Sequence, residues 1–232
     1  MDLSLSPAEW EVLGLSLRVA LVAVVASLPL GIFTAYALAR WQFPGKALVN
    51  GAVHLPLVLP PVVTGYLLLL AFGPQGPLGR AFEAVLGVSF AFRWTGAALA
   101  AAVMAFPLMV RAIRLSIEAV DPRLEDAAAT LGAARLWVFA TVTLPLILPG
   151  VLAGAVLAFA KALGEFGATI TFVSNIPGET RTIPVAIYSF LQIPGAEASA
   201  LRLVIIAVIV SMGALLISEW VAGRAAKRVA GR

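Results

Sequence analysis

The chain has 232 residues, of which 61% are hydrophobic and 12% are charged, and its mean hydropathy is +1.01. Soluble domains carry about 25% charged residues, so this composition excludes a water-soluble enzyme and a disordered chain and predicts an integral membrane protein. The sequence has no cysteine, one histidine and a net charge of +4, which excludes disulfides, a thiol nucleophile and a metal site built on Cys or clustered His.

Five apolar stretches are long enough to cross a bilayer, which takes about 20 residues of helix. They cover residues 13–38, 49–72, 94–113, 142–160 and 203–221. A sixth stretch, 166–173, is too short to cross and is interpreted as a partial or re-entrant element or as the end of the fourth helix. The predicted fold is therefore all-α, an integral membrane protein with about five transmembrane helices in a single domain over residues 1–232.

Basic residues are concentrated in the connections on one side of the predicted spans. Two follow the first span, four lie between the third and fourth spans and four lie in the carboxyl tail, against four in the connections on the other side. Because cytoplasmic loops are enriched in Lys and Arg, we expect the carboxyl terminus in the cytoplasm and the amino terminus outside. The net charge is accounted for by this orientation, and nucleic-acid binding is not expected.

The connection between the third and fourth spans, about thirty residues, is too long for a simple link between neighbouring helices. Asp121 can cap a helix with a proline in its first turn, and Glu125 and Asp126 follow where the positive end of the helix dipole favours carboxylates. Three alanines continue this helix, Gly132 ends or interrupts it, and a second short helix begins before the fourth span. We expect two short helices at the cytoplasmic face.

This acidic, alanine-rich helix has two interpretations. An interfacial amphipathic helix lying on lipid would have a polar face rich in Lys and Arg, and residues 124–132 contain neither. Alanine side chains would instead let a partner protein approach the helix backbone closely, and the acidic first turn offers a charged anchor. The sequence favours a partner-docking helix, with the lipid-lying helix as its alternative.

The loop also carries a spaced motif, in which an acidic residue and two alanines are followed by a glycine and, after nine further residues, by Val-x-Leu-Pro. Its members are Asp126, Ala127, Ala128, Gly132, Val142, Leu144 and Pro145. The pattern resembles the cytoplasmic EAA loop of the permease subunits of binding-protein-dependent ABC importers. The glutamate position of that family falls on Asp126, and Glu125 stands one residue earlier.

Four further blocks, over residues 54–63, 106–114, 163–170 and 175–184, look like the permeases of molybdate importers. Sulfate and thiosulfate permeases share the stretch Leu-Gly-Glu-Phe-Gly-Ala, so that stretch alone does not choose the anion. The stretch Asn-Ile-Pro-Gly-Glu-Thr favours molybdate as the substrate, with sulfate, thiosulfate or tungstate as alternatives.

The resemblance implies a type I ABC importer permease fold, with its core over about residues 10–220, in a bacterial or archaeal cytoplasmic membrane. It also implies a homodimer, two cytoplasmic ABC ATPase subunits that use ATP and Mg, and an external molybdate-binding protein, with no cofactor on this chain. The residues implied to couple to the ATPase are Glu125, Asp126, Ala127, Ala128, Gly132, Leu144 and Pro145. The chain has no Gly-x-x-x-x-Gly-Lys-Ser/Thr phosphate-binding motif, so we expect a separate subunit to hydrolyse ATP and this chain to be a permease and not an enzyme.

Polar and helix-breaking residues within and near the spans are the candidates for the pathway and its gate. They are Pro60, Pro61, Thr64, Glu165, Thr169 and Thr171. Adjacent prolines remove backbone donors and kink a helix, which suits a helix that lines a path, although plain packing explains them equally well. Lys161 and Glu165 lie four residues apart on one predicted helix face and form either an intrahelical ion pair or part of the gate.

The residues give weaker support to two other classes of protein. An intramembrane protease requires Ser and His, paired Asp or His-Glu-x-x-His within the spans, and this sequence has one histidine and no paired aspartates there. A stand-alone secondary carrier would not require the docking loop and usually shows two related halves.

Overall fold

The computed structural model describes residues 5–229, and the regular elements in that range are all helical. The α-helices are α1 (Pro7–Arg40), α2 (Lys46–Val58), α3 (Pro61–Phe72), α4 (Pro77–Leu86), α5 (Trp94–Glu118), α6 (Pro122–Thr130), α7 (Arg135–Val138), α8 (Leu144–Leu163), α9 (Gly167–Val173), α10 (Ile183–Phe190) and α11 (Glu197–Val229). A π-helical segment, Phe139–Thr143, joins α7 to α8. The predicted domain limits and the tail residue Arg232 lie outside the described residues.

Four helical stretches are long and apolar enough to cross a membrane: Pro7–Arg40, Trp94–Glu118, Arg135–Leu163 and Glu197–Ile217. They correspond to the first, third, fourth and fifth predicted spans. The pair α2 and α3 adds a fifth if it is counted as one bent span. The prediction of an all-α protein with about five transmembrane helices is confirmed.

The second predicted span is not one continuous helix, because α2 and α3 are bent by 117° at a break over Leu59 and Pro60. Both residues precede a proline, which pushes their backbone out of the helical region, and their ψ angles are 143° and 134°. Pro61 also has no N–H with which to continue the hydrogen-bond ladder. The adjacent prolines therefore break the helix where a kink was predicted, whereas Pro56 is accommodated inside α2.

The packing is organised around α5, which contacts both α1 and α8. The buried residues of α5 include many alanines, which let helix backbones approach closely where lipid is as apolar as the helices themselves. Gly150 and Gly154 likewise let the backbone of α8 approach α5 closely. A Cβ added at Gly154 would lie 3.1 Å from the Met109 carbonyl oxygen, and one added at Gly150 would overlap the side chain of Ser116. The close α5–α8 crossing thus depends on a Gly-x-x-x-Gly pair that the span prediction did not use.

The sixth apolar stretch forms a helix of its own. α8 ends at Leu163 and α9 begins at Gly167, so the interpretation that this stretch ends the fourth helix is wrong. α9 packs against α3 and α5. Its contact with α3 is close, because a Cβ added at Gly65 of α3 would lie 2.5 Å from the Ala168 carbonyl oxygen.

A buried ion pair joins the first turn of α1 to the start of α11. Glu9 closes a capping box with Ser6, and its carboxylate is 1% exposed. Arg202 of α11 approaches Glu9 Oε1 to 2.9 Å through Nη2 and 3.0 Å through Nε. The two helices therefore begin at the same end of the bundle, opposite to the end that carries α6.

The long connection contains two short helices, as predicted, which separate at Gly132 where φ is +86°. The second of them differs from the expectation, because α7 runs through the π-helical segment into α8 without a break. Of these two short helices, α6 is the one that is separate from the membrane-spanning helices.

Candidate coupling site and candidate pathway

The helix α6 lies on the surface of the bundle and has no buried residue. Its start is stabilised locally, because Asp121 Oδ1 accepts a hydrogen bond of 3.0 Å from the Arg123 N–H and Pro122 occupies the first turn. Its end is set by Gly132, whose left-handed backbone costs glycine little. The helix is therefore determined by its own sequence and not by burial.

Large apolar side chains are exposed along α6 and α7. Leu124, Leu131, Leu136 and Trp137 are between 50% and 90% exposed. Exposed apolar residues concentrated in one connection are typical of an interaction surface. Asp126 is exposed beside them, as are Ala127 and Ala129, whereas Ala128 is half-buried.

The two carboxylates of α6 have different surroundings. Glu125 turns towards the bundle, where its Oε1 accepts a hydrogen bond of 2.7 Å from the Thr143 hydroxyl and its Oε2 lies 3.4 Å from Arg40 Nε. The Glu125 side chain is 17% exposed. Asp126 faces solvent. Of the two carboxylates predicted to couple to a partner, Asp126 is the one that a partner can reach.

Arg40, at the end of α1, connects α6 to the end of α5. Its Nη2 donates a hydrogen bond of 2.9 Å to the carbonyl of Val120, the residue before the α6 cap. Its Nε is buried, and at 3.4 Å it makes an ion pair with Glu125 but no hydrogen bond. The guanidinium is therefore hydrogen-bonded to the turn between α5 and α6 and forms an ion pair with α6 itself.

The second half of the sequence motif begins α8 and does not lie on α6. Leu144 is half-buried, and its N–H bonds to the Phe139 carbonyl five residues back, which defines the π-helical segment. Pro145 has no N–H and its ring crowds the preceding turn, and a wider turn relieves this crowding. Thr143, the residue between Val142 and Leu144, is the one that reaches Glu125. The two halves of the motif are thus in contact through Glu125 and Thr143, which are adjacent to the motif positions Asp126 and Leu144.

The predicted pathway residues lie around the contact between α3 and α9. A Cβ added at Gly167 would lie 2.7 Å from Pro61 Cβ, and one added at Gly65 would lie 2.9 Å from Thr171 Cβ. Pro60 and Pro61 are exposed, and Thr169 is fully buried. Their place at one helix contact is compatible with a gate and equally with packing.

Hydroxyl groups at this contact differ in their partners. Thr171 donates a hydrogen bond of 2.8 Å to the Gly167 carbonyl, the usual arrangement for a threonine in a helix. The Thr64 hydroxyl is buried and has no partner among the described residues. Within the described part of the chain, the Thr64 side chain is therefore an unpaired buried polar group at the α3–α9 contact.

Glu165 is the most buried charged residue of this region, with a side chain that is 2% exposed. Its Oε2 lies 2.8 Å from Lys161 Nζ, and its Oε1 accepts a hydrogen bond of 3.0 Å from the Ala168 N–H at the start of α9. The ion pair inferred from the four-residue spacing is present. It is not intrahelical, because Glu165 lies beyond the end of α8.

An apolar groove of about 570 Å³ lies between α1, α2 and α5. Its lining includes Leu30, Val53, Pro56, Val103 and Phe106, and none of the predicted pathway residues belongs to it. Such a surface is suited to an acyl chain or another apolar helix and not to an oxyanion.

Comparison with known proteins decides the family. The family described as "Binding-protein-dependent transport system inner membrane component" matches residues 27–231. The chain belongs to this family. It is 60% identical over 228 residues to the "Molybdenum transport system permease protein ModB" of Escherichia coli (strain K12), across 98% of this chain and 99% of that protein. It is 38% identical over 186 residues to the "Sulfate transport system permease protein CysT" of Salmonella typhimurium, across 78% of this chain and 67% of that protein.

The solved structure of an ABC transporter has the same fold as this chain. The bacterial alginate ABC transporter in complex with alginate pentasaccharide-bound periplasmic protein aligns with a TM-score of 0.75 and 19% identity, over 96% of this chain and 81% of that chain. This binding-protein-dependent transport component therefore has an ABC importer permease fold, as its sequence motif predicted.

Membership of the family confirms the resemblance to permeases of binding-protein-dependent importers, and the 60% identity confirms the resemblance to molybdate permeases. The chain is a membrane component of a transport system and not an enzyme. Within residues 5–229 no group of three His, Cys, Asp or Glu side chains is placed to hold a metal ion. The roles of the individual coupling and pathway residues stay predictions.

Sequence reasoning did not single out three features of this family member. Arg40 was counted only as a basic residue after the first span, and Thr143 is a variable position of the motif. Neither position carries a local signal for the contact with Glu125. Gly150 and Gly154 do carry one, since Gly-x-x-x-Gly in an apolar helix is a known packing motif.

Proposed function

We propose that this chain is the permease subunit of an ATP-driven importer that moves molybdate across the cytoplasmic membrane by alternating access. The observation that carries the proposal is the 60% identity to a molybdenum transport permease along nearly the whole chain. The similarity to a sulfate permease is lower and covers less of the chain. Sulfate and thiosulfate are therefore less favoured than molybdate as the substrate, and tungstate stays an alternative substrate to be tested.

The ATPase partners dock on α6 in this proposal. The helix is stable without burial, exposes Asp126 and Leu124, and is fixed to the bundle by Glu125. A groove on each of two cytoplasmic ATPase subunits would grip one copy of α6. ATP and Mg are bound by those subunits, and closure of the ATPase dimer moves the helices joined to α6.

A second copy of this chain completes the pathway. α2 has no buried residue, and both halves of the bent pair expose large apolar side chains, with Leu48 and Val58 each 80% exposed and Tyr66 54% exposed. Contact with lipid covers such a face in part, but a partner copy would also enclose the α3–α9 region. We therefore place the pathway at the interface of a homodimer.

The orientation in this proposal follows the distribution of basic residues. The end that carries α6, Arg40 and Lys46 faces the cytoplasm, where the ATPase is found. The opposite end, with the Glu9–Arg202 pair, faces the external molybdate-binding protein. The spans hold few basic side chains, which suits release of a dianion, because conduction requires weak binding.

Substrate identity is tested by uptake into proteoliposomes that contain the permease, its ATPase and the external binding protein. We expect ATP-dependent uptake of labelled molybdate, with stronger competition from unlabelled molybdate than from an equal concentration of sulfate. Uptake of molybdate by the permease in the absence of the ATPase would contradict the proposal and would indicate a secondary carrier.

Asp126→Lys tests the docking helix. Charge reversal at an exposed anchor is expected to lower the amount of ATPase that co-purifies with the permease by at least about tenfold, because like charges across an interface cost several kcal/mol. Glu118→Gln is the matched control, since Glu118 lies nearby at the end of α5, is partly exposed and pairs with Arg114 of its own helix. Co-purification at the wild-type level with Asp126→Lys would show that α6 is not the docking site.

A further inference from the structure

We propose that Glu125 is a positioning residue that fastens the docking helix α6 to the ends of three membrane helices and does not bind the ATPase itself. The inference rests on the proposed function of α6 as the docking helix. It assigns the two neighbouring carboxylates different tasks, with Asp126 binding the partner and Glu125 transmitting its movement to the bundle.

The first connection runs from Glu125 to α8. Thr143 is fully buried, and its hydroxyl donates to Glu125 Oε1 at 2.7 Å. Thr143 ends the π-helical segment, and α8 starts at the next residue. A displacement of α6 is therefore passed to the first turn of α8 through one short, charge-assisted hydrogen bond.

The second connection runs from Glu125 to α1 and α5. Arg40 ends α1, and its guanidinium is shared between the Glu125 carboxylate and the Val120 carbonyl that follows α5. Tyr36, one turn earlier in α1, packs edge-on against Phe139 of the π-helical segment with ring centroids 5.3 Å apart. The ends of α1, α5 and α8 thus converge on one side chain of α6.

Backbone connectivity alone does not provide this fastening. α6 is joined to α5 by the short turn around Asp121, and to α7 through Gly132, which lies in open space. Among the described residues, the side-chain hydrogen bonds and ion pairs that join α6 to the membrane helices are those of Glu125. Loss of the Glu125 carboxylate leaves α6 folded, because its cap and its terminating glycine are unaffected, but loosens its position relative to the spans.

Without the Glu125 carboxylate, its two partners, Thr143 and Arg40, would have unpaired polar groups that are buried away from water. Thr143 is completely buried, and Arg40 Nε is buried with no hydrogen bond of its own. An unpaired buried polar group is costly, so the three residues act as a unit. Removing the carboxylate or the Thr143 hydroxyl is therefore expected to have the same consequence, and removing both should add little.

The test uses the complete complex of permease, ATPase and binding protein in proteoliposomes, with molybdate uptake and ATP hydrolysis measured on the same sample. Glu125→Gln removes the charge from the hydrogen bond with Thr143 and from the pair with Arg40, and Thr143→Val removes the donor of that hydrogen bond. For both variants we expect the ATPase to remain bound and the molybdate transported per ATP hydrolysed to fall about tenfold, the order expected for loss of a charge-assisted hydrogen bond. Thr143→Ser keeps the hydroxyl and should restore the ratio. The double variant Glu125→Gln/Thr143→Val should not fall below the lower of the two single variants.

Two controls separate positioning from docking. Glu118→Gln removes a carboxylate at the same end of the bundle and should leave the transport ratio unchanged. Asp126→Asn should weaken the binding of the ATPase without changing the ratio in the complexes that form. Loss of ATPase binding in Glu125→Gln equal to that in Asp126→Asn, or a wild-type transport ratio in Glu125→Gln, would overturn the inference.

The outcome is distinct from a failure of the proposed function. If the wild-type permease neither bound an ATPase nor took up molybdate with ATP, the function itself would be wrong. If the wild-type complex is active and Glu125→Gln is fully coupled, only the role of Glu125 is wrong.

Discussion

Gly150→Leu is expected to prevent the protein from accumulating in the membrane. Even a methyl group at this position would overlap the Ser116 side chain, with Oγ only 2.5 Å away, and Ser116 Cβ is too close to its own backbone to move aside. α5 and α8 would have to separate, and α5 is the helix around which the others pack. Overpacking of a core commonly costs about 1–3 kcal/mol, and the extra leucine atoms place this variant at the upper end.

Alanine substitutions test the same α5–α8 contact with a smaller side chain, and the quantity compared is the midpoint of thermal unfolding. Gly150→Ala and Gly14→Ala are the same chemical change, but a Cβ at Gly14 meets nothing within 4 Å. Thermal unfolding of the detergent-solubilised protein should show a lower midpoint for Gly150→Ala and no loss for Gly14→Ala. Equal midpoints for the two variants would mean that the α5–α8 crossing is not limited by the glycine.

Glu165→Leu is expected to lower the free energy of unfolding by about 3 kcal/mol, the lower end of the range for breaking a buried ion pair, because Lys161 is partly exposed. The substitution leaves the Lys161 ammonium without its partner and the buried Ala168 N–H without an acceptor. The first consequence acts on the last turn of α8, and the second acts on the start of α9, which packs on α3 beside Thr64. We therefore expect uptake to fall together with stability.

The double variant Lys161→Met/Glu165→Leu separates packing from transport. Replacing both members of a buried pair by apolar residues is often close to neutral, so the part of the stability loss that comes from the unpaired Lys161 ammonium should return, whereas the Ala168 N–H stays without an acceptor. If uptake returns as well, the pair serves the packing of α9. If stability returns without uptake, one of the two charges takes part in transport, and the gate interpretation is supported. A single Glu165→Leu variant as stable as the wild type would contradict the burial argument.

The bounds of α6 were predictable because the signals that set them are local. The cap at Asp121, the proline that follows it, the alanines and the left-handed Gly132 all act within one or two turns, so they operate in the same way before and after the chain folds. The spans were predictable for a similar reason, since the cost of burying polar groups in lipid is paid residue by residue.

The bend between α2 and α3 was predictable in kind and not in size. Adjacent prolines at positions 60 and 61 necessarily interrupt a helix, but the interruption is compatible with many angles. The value of 117° also reflects the packing of α3 against α9, in which Gly65 and Gly167 allow contact with backbone and proline atoms. Such contacts join segments that are distant along the chain.

The amino-acid sequence is sufficient to predict that this protein lies in a membrane, which segments cross it, and where the surface helix α6 begins and ends, since composition and local hydrogen bonding decide each of these. Which carboxylate of that helix faces inwards depends on the packing of the other helices. Glu125 and Asp126 are adjacent and chemically similar, and what distinguishes them is the position of Arg40 and Thr143, brought there from other helices by packing.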